Sequence, residues 1–328
     1  MSKRAISGPS RTSLTVRGTN AKGQRSSTIL RSRPRYSAPS TFSIVAFDRA
    51  NRDLGVAVES KFPAVGVIVP WAEAKVGAIA TQAMINVSYG PNGLKLLQDG
   101  LSADETLRRL VAGDLQRETR QAAVVDRDGH VAAHTGKECL EWKGHLSGDG
   151  YSCQGNILTS SKVLESMAEA YEETKGDLID RLLAALTAGQ AAGGDRRGQQ
   201  SAAILVVREN GGYGGYSDRY LDLRVDDHSS PIEELKRVFR NYDMTMLSRE
   251  DPRNLFMIDR NITVTIQRNL KKLGFYAGEV TGDLDALTKK ALDDFVNINN
   301  FEDRMRQEGK IWKSVLDYMG QQAKTSSG

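Results

Sequence analysis

The chain has 328 residues, of which 39% are hydrophobic, 26% are charged and 31 are glycines. This length and composition indicate a globular protein of about two domains, and they exclude fibrous and wholly disordered proteins. No apolar run approaches the roughly 18 residues needed to span a bilayer, which excludes a transmembrane protein and predicts no membrane partner.

Basic residues are concentrated at the start of the chain. Residues 1–40 contain nine Lys or Arg and no Asp or Glu, which leaves 36 basic against 41 acidic residues in the rest. That remainder lacks the basic stripe of nucleic-acid-binding proteins, so we expect no nucleic-acid partner. Cys139 and Cys153 make neither a disulfide framework nor a four-ligand zinc pattern, and reduced, cytoplasmic thiols are expected.

The first 40 residues predict a disordered basic leader, because they are rich in Ser, Thr, Arg and Gly and have almost no apolar periodicity. An organelle transit peptide has the same composition, as would an over-early start codon or an expression leader. No hydrophobic core of a secretory signal is present, so we expect a cytoplasmic protein, with an organelle as the alternative.

Ordered sequence begins at Thr41, and strands come before helices. Thr41–Asp48 and Leu54–Ser60 flank the turn-like Asn51 and predict a β-hairpin. Ser102 and Glu105 form a capping box that predicts a helix to about residue 112. Further predicted elements are strands at 65–71 and 76–82, a helix at 94–98 and a hairpin of 121–125 with 130–134.

The second half of the chain repeats this block order. Helical spacing of apolar residues covers 161–174, 177–190 and 231–242, whereas 201–207 and 220–225 predict strands. Blocks of strands and helices favour two sheets between helical layers over a doubly wound parallel sheet. Periodicity is lost between residues 243 and 260, so the boundary between a domain at 41–250 and one at 251–328 is expected near residue 250.

Several common functional signatures are absent, among them the phosphate loop, the nucleophile elbow and the zinc helix. The Gly-rich run at 211–215 is better explained as a hairpin tip than as a phosphate cradle. His130, His134 and His145 are possible metal ligands by residue type, but structural roles fit them better. We therefore expect no metal and no cofactor.

Thr41 is a candidate nucleophile, because a Thr at the start of an ordered strand can use its own α-amino group as the general base if everything before it is removed. A hairpin turn centred on Asn51 would place Lys61 opposite Thr41, where its charge could lower the pKa of the hydroxyl. An ordinary surface hairpin that ends in an exposed Lys explains the same spacing.

Between Thr41 and about Tyr242 the sequence resembles an uncharacterised bacterial domain family of unknown function that is grouped with the N-terminal-nucleophile (Ntn) hydrolases. The runs that carry the resemblance are TFSIVA at 41–46, SKFPAVG at 60–66, ATQ at 80–82, YGPNG at 89–93, YSCQGNIL at 151–158 and GGDRRG at 193–198. The resemblance implies an α+β fold, a four-layer αββα sandwich. Family members begin Met-Thr-Phe-Ser, whereas Ser40 precedes Thr41 here, so the Ntn route requires a different start site or cleavage of the Ser40–Thr41 bond.

Five further residues are candidate site residues. The side-chain amide of Asn156, expected in a loop before a helix, is a candidate oxyanion donor, with a turn or cap role as the alternative. The backbone N–H groups near Thr81 and Gln82 could serve instead. Asp195 and Arg197 could orient a substrate carboxylate or ammonium, or form an internal ion pair in a solvated loop.

The C-terminal unit resembles a small three-helix peptidoglycan-binding module. The resemblance covers 264–278, 282–288 and 291–295, where Leu270, Leu273, Leu292 and Phe295 supply a core, and residues 309–319 predict a closing helix. It implies binding of a glycan or stem peptide. A docking module that has lost this binding is the alternative.

The first hypothesis from the sequence is an Ntn-type amidohydrolase, in which Thr41 attacks a small amide, Lys61 supports it and Asn156 or backbone amides hold the oxyanion. The alternative is a non-catalytic scaffold that recruits a partner or a cell-wall fragment through its C-terminal domain. A homo-oligomer is expected in either case.

Overall fold

The computed structural model describes residues 15–19, 25–29, 41–247, 249–305 and 308–325. Within the predicted leader, β1 (Thr15–Thr19) and β2 (Arg25–Ile29) pair as an antiparallel hairpin. The other leader residues lie outside the described ranges, so the expected disorder stays a prediction there. From Thr41 onward the described residues form a separate compact unit.

Two antiparallel sheets make up the larger part of this unit. The six-stranded sheet has the order β12-β11-β4-β3-β10-β9, and the four-stranded sheet has the order β5-β6-β7-β8. The strands are β3 (Thr41–Asp48), β4 (Asp53–Ser60), β5 (Pro70–Glu73), β6 (Gly77–Ala83), β7 (Arg120–Asp126), β8 (Val131–Thr135), β9 (Gly144–Gly148), β10 (Tyr151–Asn156), β11 (Ser201–Val207) and β12 (Arg219–Val225).

Helices cover the outer faces of both sheets, because the central strands carry apolar residues on both of their faces. On β3, Phe42 and Ile44 pack toward the helices of one face, whereas Val45 and Phe47 belong to the apolar cluster between the sheets. The helices of this part are α1 (Tyr89–Gln98), α2 (Ala103–Ala112), α3 (Lys162–Glu173), α4 (Leu178–Ala191) and α5 (Pro231–Met246). Residues of α1 and α2 cluster with the four-stranded sheet, and residues of α3, α4 and α5 cluster with the six-stranded sheet. The chain is thus a mixed α and β protein with antiparallel sheets, as the block order predicts.

Most predicted elements lie within a few residues of the observed ones. The Ser102 side chain accepts the backbone N–H of Glu105 and begins α2, as the capping box predicts. The strand expected at 65–71 is wrong in its first half, which forms a short 3₁₀ turn, and β5 begins only at Pro70. Strands β9 and β10 were missed, because their small and polar residues lack the apolar alternation that indicates a strand.

The C-terminal part has a hydrophobic cluster of its own, which includes Leu270, Leu292 and Phe295. Its elements are β13 (Leu255–Met257), α6 (Arg260–Lys272), α7 (Ala286–Ile298), β14 (Lys310–Trp312) and α8 (Lys313–Thr325). The segment 255–257, expected to be a linker, pairs with β14. For the same reason the closing helix expected from residue 309 begins only at Lys313.

One arginine joins the C-terminal part to the end of α5. The Arg304 guanidinium donates to the carbonyls of Asp243, Met244 and Leu247 and forms an ion pair with Glu250. These carbonyls are at a helix C-terminus, where a cation is favourable. Among the described residues, no helix is long and apolar enough to cross a membrane.

Candidate active site

Thr41 begins β3, one of the two central strands of the six-stranded sheet, and its side chain is fully buried. It lies opposite Ser60 on β4 and opposite Asn156 on β10. Its hydroxyl donates to the Ser60 hydroxyl over 3.2 Å. Two polar side chains on neighbouring strands therefore flank the candidate nucleophile on the same face of the sheet.

Behind Thr41, a layer of polar side chains fills the space between the two sheets. The Gln82 amide of β6 donates to the Thr41 carbonyl over 3.4 Å and to Gln121 Oε1 of β7 over 2.8 Å. The Ser43 hydroxyl donates to Gln82 Oε1 and accepts from the Gln154 amide, both over 2.6 Å. All these side chains are fully buried, so the network links the end of β3 to the opposite sheet.

Asn156 lies at the end of strand β10, not in the loop that the sequence predicts, and it is 1% exposed. Its amide nitrogen donates to Gln121 Oε1 over 3.1 Å. The Gln121 amide is held in turn by the carbonyls of Gly144 and Gly155. Asn156 is thus a strand residue beside Thr41, oriented from the opposite sheet, and the expected loop position is wrong.

The predicted pairing of Thr41 with Lys61 is wrong by one residue, because the observed register pairs Thr41 with Ser60. The hairpin turn has four residues between Asp48 and Asp53 and closes through Arg52, whose φ is 59°. A turn centred on one residue would need an odd number. The exposed side chain of Lys61 donates from Nζ to the carbonyl of Gln199 over 3.0 Å.

Thr81 and Gln82, proposed as sources of backbone donors, differ in whether they contact Thr41. The Thr81 N–H donates to the carbonyl of Val69, and the Thr81 hydroxyl donates to the carbonyl of Asn86. Thr81 N–H is therefore engaged away from Thr41. Gln82 does reach Thr41, but through its side-chain amide.

Asp195 and Arg197 form the internal ion pair that the sequence allowed, with Nη2 and Oδ2 3.3 Å apart. The Asp195 carboxylate also accepts the backbone N–H groups of Lys61 and Arg197. Because Lys61 follows Ser60, these bonds hold the loop at 195–197 beside the end of β4. The backbone of Asp195 forms an isolated antiparallel β-bridge with Leu158, two residues beyond Asn156.

A buried carboxylic acid lies on the other face of β4. Glu59, opposite Phe42, is fully buried, and within the described part of the chain neither carboxylate oxygen has a hydrogen-bond partner. Burial raises the pKa of Glu59 well above its usual range, and the Asp195 carboxylate raises it further. The Gln200 backbone N–H and the positive charges of Arg197 and Lys61 offset part of this shift. The neutral form of Glu59 is therefore favoured.

His130, His134 and His145 do not form a shared metal site in the described part of the chain. His145 Nδ1 lies 2.9 Å from the Thr135 hydroxyl, and burial lowers its pKa. The one cluster with metal-ligand spacing in the described ranges is Asp126, Asp128 and His130 on a hairpin turn. Its buried member, Asp126, already accepts the backbone N–H groups of Asp128 and His130, so hydrogen bonding within the turn explains the cluster.

An open cleft of about 550 Å³ lies elsewhere, between α1 and α2. Its lining includes Asn86, Lys95, Arg109 and Asp114, but not Thr41. The polar residues around Thr41 thus form a packed interior rather than the wall of this cleft.

Four residues of the Thr41 cluster were missed from the sequence: Ser43, Ser60, Gln121 and Gln154. Each is a polar residue in a strand whose neighbouring positions are buried. That pattern was the available signal, because buried polar side chains in strands require partners. What the pattern cannot give is which strands meet.

The comparisons with known proteins identify a family for each of the two parts of the chain. A model described as a "family of unknown function (DUF1028)" matches residues 41–235, which is more than half of the chain. The chain belongs to this family. The DUF1028 match begins at Thr41, at the first residue of β3. A second model, described as a "putative peptidoglycan binding domain", matches residues 245–319.

The crystal structure of a DUF1028 protein from Silicibacter pomeroyi is similar to this chain. It is 30% identical, with a TM-score of 0.58, and the match covers 64% of this chain and 92% of the other. A search of the curated proteins found no match. The comparisons thus give a DUF1028 domain of unknown function followed by a peptidoglycan-binding-type domain.

Proposed function

We propose that the DUF1028 domain is an Ntn-type amidohydrolase whose two sheets and outer helices correspond to the αββα layers of that superfamily, and that Thr41 is its nucleophile. The observation that supports this proposal is the position of Thr41, which begins a central strand with its hydroxyl in a buried polar cluster between two sheets. The resemblance of the sequence to an Ntn-grouped family agrees with it.

The chemistry requires a chain that begins at Thr41, because only then does the α-amino group exist as a base near its unperturbed pKa of about 8. Thr41 Oγ attacks the carbonyl carbon of a small amide while the α-amine takes its proton. The C–N bond then breaks, the amine leaves with that proton, and water hydrolyses the ester on Thr41. We propose that the amide of Asn156, which lies beside Thr41, stabilises the oxyanion.

The first test is the mass and N-terminal sequence of the protein from its native host, where the proposal expects a chain that begins at Thr41. From Thr41 on, the chain forms its own compact unit, so the same species can be made by cleaving a fusion directly before Thr41. This species should hydrolyse at least one member of a panel of small amides. The Thr41→Ala variant, and a chain that keeps residues 1–40, should not. Full turnover by Thr41→Ala on a substrate of the wild type would overturn the proposal.

A second proposed function, binding of a peptidoglycan fragment through residues 245–319, is supported by the family match there. The full chain should sediment with purified insoluble peptidoglycan, and soluble wall fragments should release it. Cellulose is the matched control, because it is an insoluble polysaccharide without stem peptides. Equal retention on both, or on neither, would contradict this proposal.

A further inference from the structure

Cationic residues gather at the end of β4 that holds Ser60. Lys61 follows Ser60 directly and is exposed, and its ammonium group donates to a single carbonyl, that of Gln199, in the described structure. An ammonium group has three donors, so Lys61 can bind a further acceptor. Arg196 and Arg197 are exposed on the adjacent loop.

The acidic residue of this loop, Asp195, forms its hydrogen bonds with neighbouring residues of the protein. Asp195 is fully buried at its side chain, and its two oxygens accept the Lys61 N–H, the Arg197 N–H and the Arg197 guanidinium. A carboxylate with four such bonds anchors the cations and is not available to a substrate ammonium group. Of the two substrate groups that the sequence allowed at this loop, the geometry disfavours the ammonium.

Glu59 does not cancel the positive charge. It is buried on the opposite face of β4, beside Phe42, where an ionised carboxylate would lack hydrogen-bond donors. Lys61, Arg196 and Arg197 therefore face one ionised acid, Asp195, and the edge beside the Thr41–Ser60 pair is cationic. A surface edge that carries charges of one sign attracts ligands of the opposite sign.

We propose that the substrate of the Thr41 site carries a carboxylate close to its scissile amide, and that Lys61 binds this carboxylate while Arg197 adds positive charge beside it. This inference rests on the proposed function and narrows its substrate class. It also gives Lys61 a role different from activation of the Thr41 hydroxyl, for which Ser60 is the observed neighbour.

The test uses the chain that begins at Thr41 and two probes, a β-lactone with a pendant carboxylate and the methyl ester of the same lactone. Thr41 Oγ attacks the lactone carbonyl, the ring C–O bond breaks, and the ring oxygen takes a proton. The adduct therefore gains the whole mass of the probe, which intact-mass spectrometry follows over time. Each rate is corrected for the reactivity of its probe with free threonine.

The carboxylate probe should label the wild type about tenfold faster than the ester, because the Lys61 ammonium group would form a charge-assisted hydrogen bond with the carboxylate. Lys61→Gln should lose this preference, and Lys61→Arg should restore it. Both variants keep the backbone N–H that Asp195 accepts. Lys75→Gln is the matched control, because Lys75 is an exposed lysine paired with Glu209, and it should keep the preference.

Equal labelling of the wild type by both probes, or a preference that survives in Lys61→Gln, would overturn this inference and leave the nucleophile intact. Labelling at Thr41 by neither probe would instead overturn the proposed nucleophile, and the inference with it. Circular dichroism of each variant confirms that the fold is retained.

Discussion

Two buried glutamine clusters differ in how completely their polar atoms are paired. In the C-terminal part, Gln267 donates to Thr288, Tyr276 and the Asp283 carbonyl, and its Oε1 accepts the Gly282 N–H. Around Thr41, in contrast, Gln154 Oε1 is buried without a hydrogen-bond partner in the described structure.

The difference indicates different roles. A fully paired buried amide stabilises a fold, and Gln267 holds the loop between α6 and α7 in this way. Unpaired buried polar atoms reduce stability and are concentrated at functional sites. Among the described residues from 249 on, no fully buried side-chain nitrogen or oxygen lacks a partner. Thr106, Tyr171, Asp177 and Gln190 carry such atoms too, so the contrast supports a structural role for Gln267 and separates the DUF1028 domain as a whole from the C-terminal part.

The largest effect on stability is expected for Gln267→Leu. This change leaves the Gly282 N–H and the Asp283 carbonyl without their buried partner, and each such group costs about 1–3 kcal/mol. We expect the free energy of unfolding of the C-terminal part to fall by about 4 kcal/mol. Hydrogen exchange of peptides from residues 260–298 measures this loss.

Gln321→Leu is the control, because Gln321 is exposed on α8. It should change hydrogen exchange in the same peptides little. A loss below about 1 kcal/mol for Gln267→Leu would mean that full pairing does not distinguish the two clusters.

Glu59→Gln should stabilise the protein, and the gain should grow as the pH rises. Because the pKa of folded Glu59 is raised, the folded state keeps a proton that the unfolded chain releases above its ordinary pKa of about 4.3. The contribution of this proton to the free energy of unfolding is fully present below that pH. It is lost as the pH rises toward the pKa of folded Glu59, at up to about 1.4 kcal/mol per pH unit. Glutamine has no proton to lose, so its advantage over the wild type should be larger at pH 8 than at pH 5.

Guanidinium unfolding of both proteins at pH 5 and pH 8 tests this expectation. Glu209→Gln is the control, since Glu209 is about half exposed and paired with Lys75. Its effect should depend little on pH in this range. An advantage of Glu59→Gln that stays constant between the two pH values would show that Glu59 is ionised in the folded protein.

The sequence predicts strands β3, β4 and β11 well, but it misses β10 and does not show how the strands pair. The apolar residues of β3, β4 and β11 alternate or run continuously, so their positions follow from the pattern. The register does not, because it depends on a four-residue turn closed by Arg52 in a left-handed conformation. The predicted register was wrong by one residue, so it placed Lys61 opposite Thr41, where the structure has Ser60.

The state of Glu59 could not be predicted for a related reason. In the sequence it is one acidic residue in a strand that ends at Ser60, and acidic residues are usually exposed. Its burial depends on the helices packed on that face, and part of its pKa shift comes from Asp195, far away in the chain. Asn156 was misplaced similarly, since only pairing with β3 identifies its segment as a strand.

The smallest effect is expected for Gln154→Leu, which removes one buried residue of the incompletely paired cluster. The change loses the hydrogen bond from the Gln154 amide to Ser43 but also removes an unpaired buried acceptor, and these two effects offset each other. Ser43 keeps its bond to Gln82. We expect the free energy of unfolding, measured with guanidinium, to change by less than about 1 kcal/mol.

Gln121→Leu is the matched comparison, because Gln121 has the same side chain in the same layer but is paired at both ends. Its Oε1 accepts Gln82 and Asn156, and its amide donates to Thr135 and two backbone carbonyls. Its loss should cost about 3 kcal/mol, as expected when several buried groups lose a partner. Equal costs for Gln154→Leu and Gln121→Leu would mean that position in the layer, rather than pairing, sets stability. The contrast in pairing with Gln267 would then not explain the stability of either cluster.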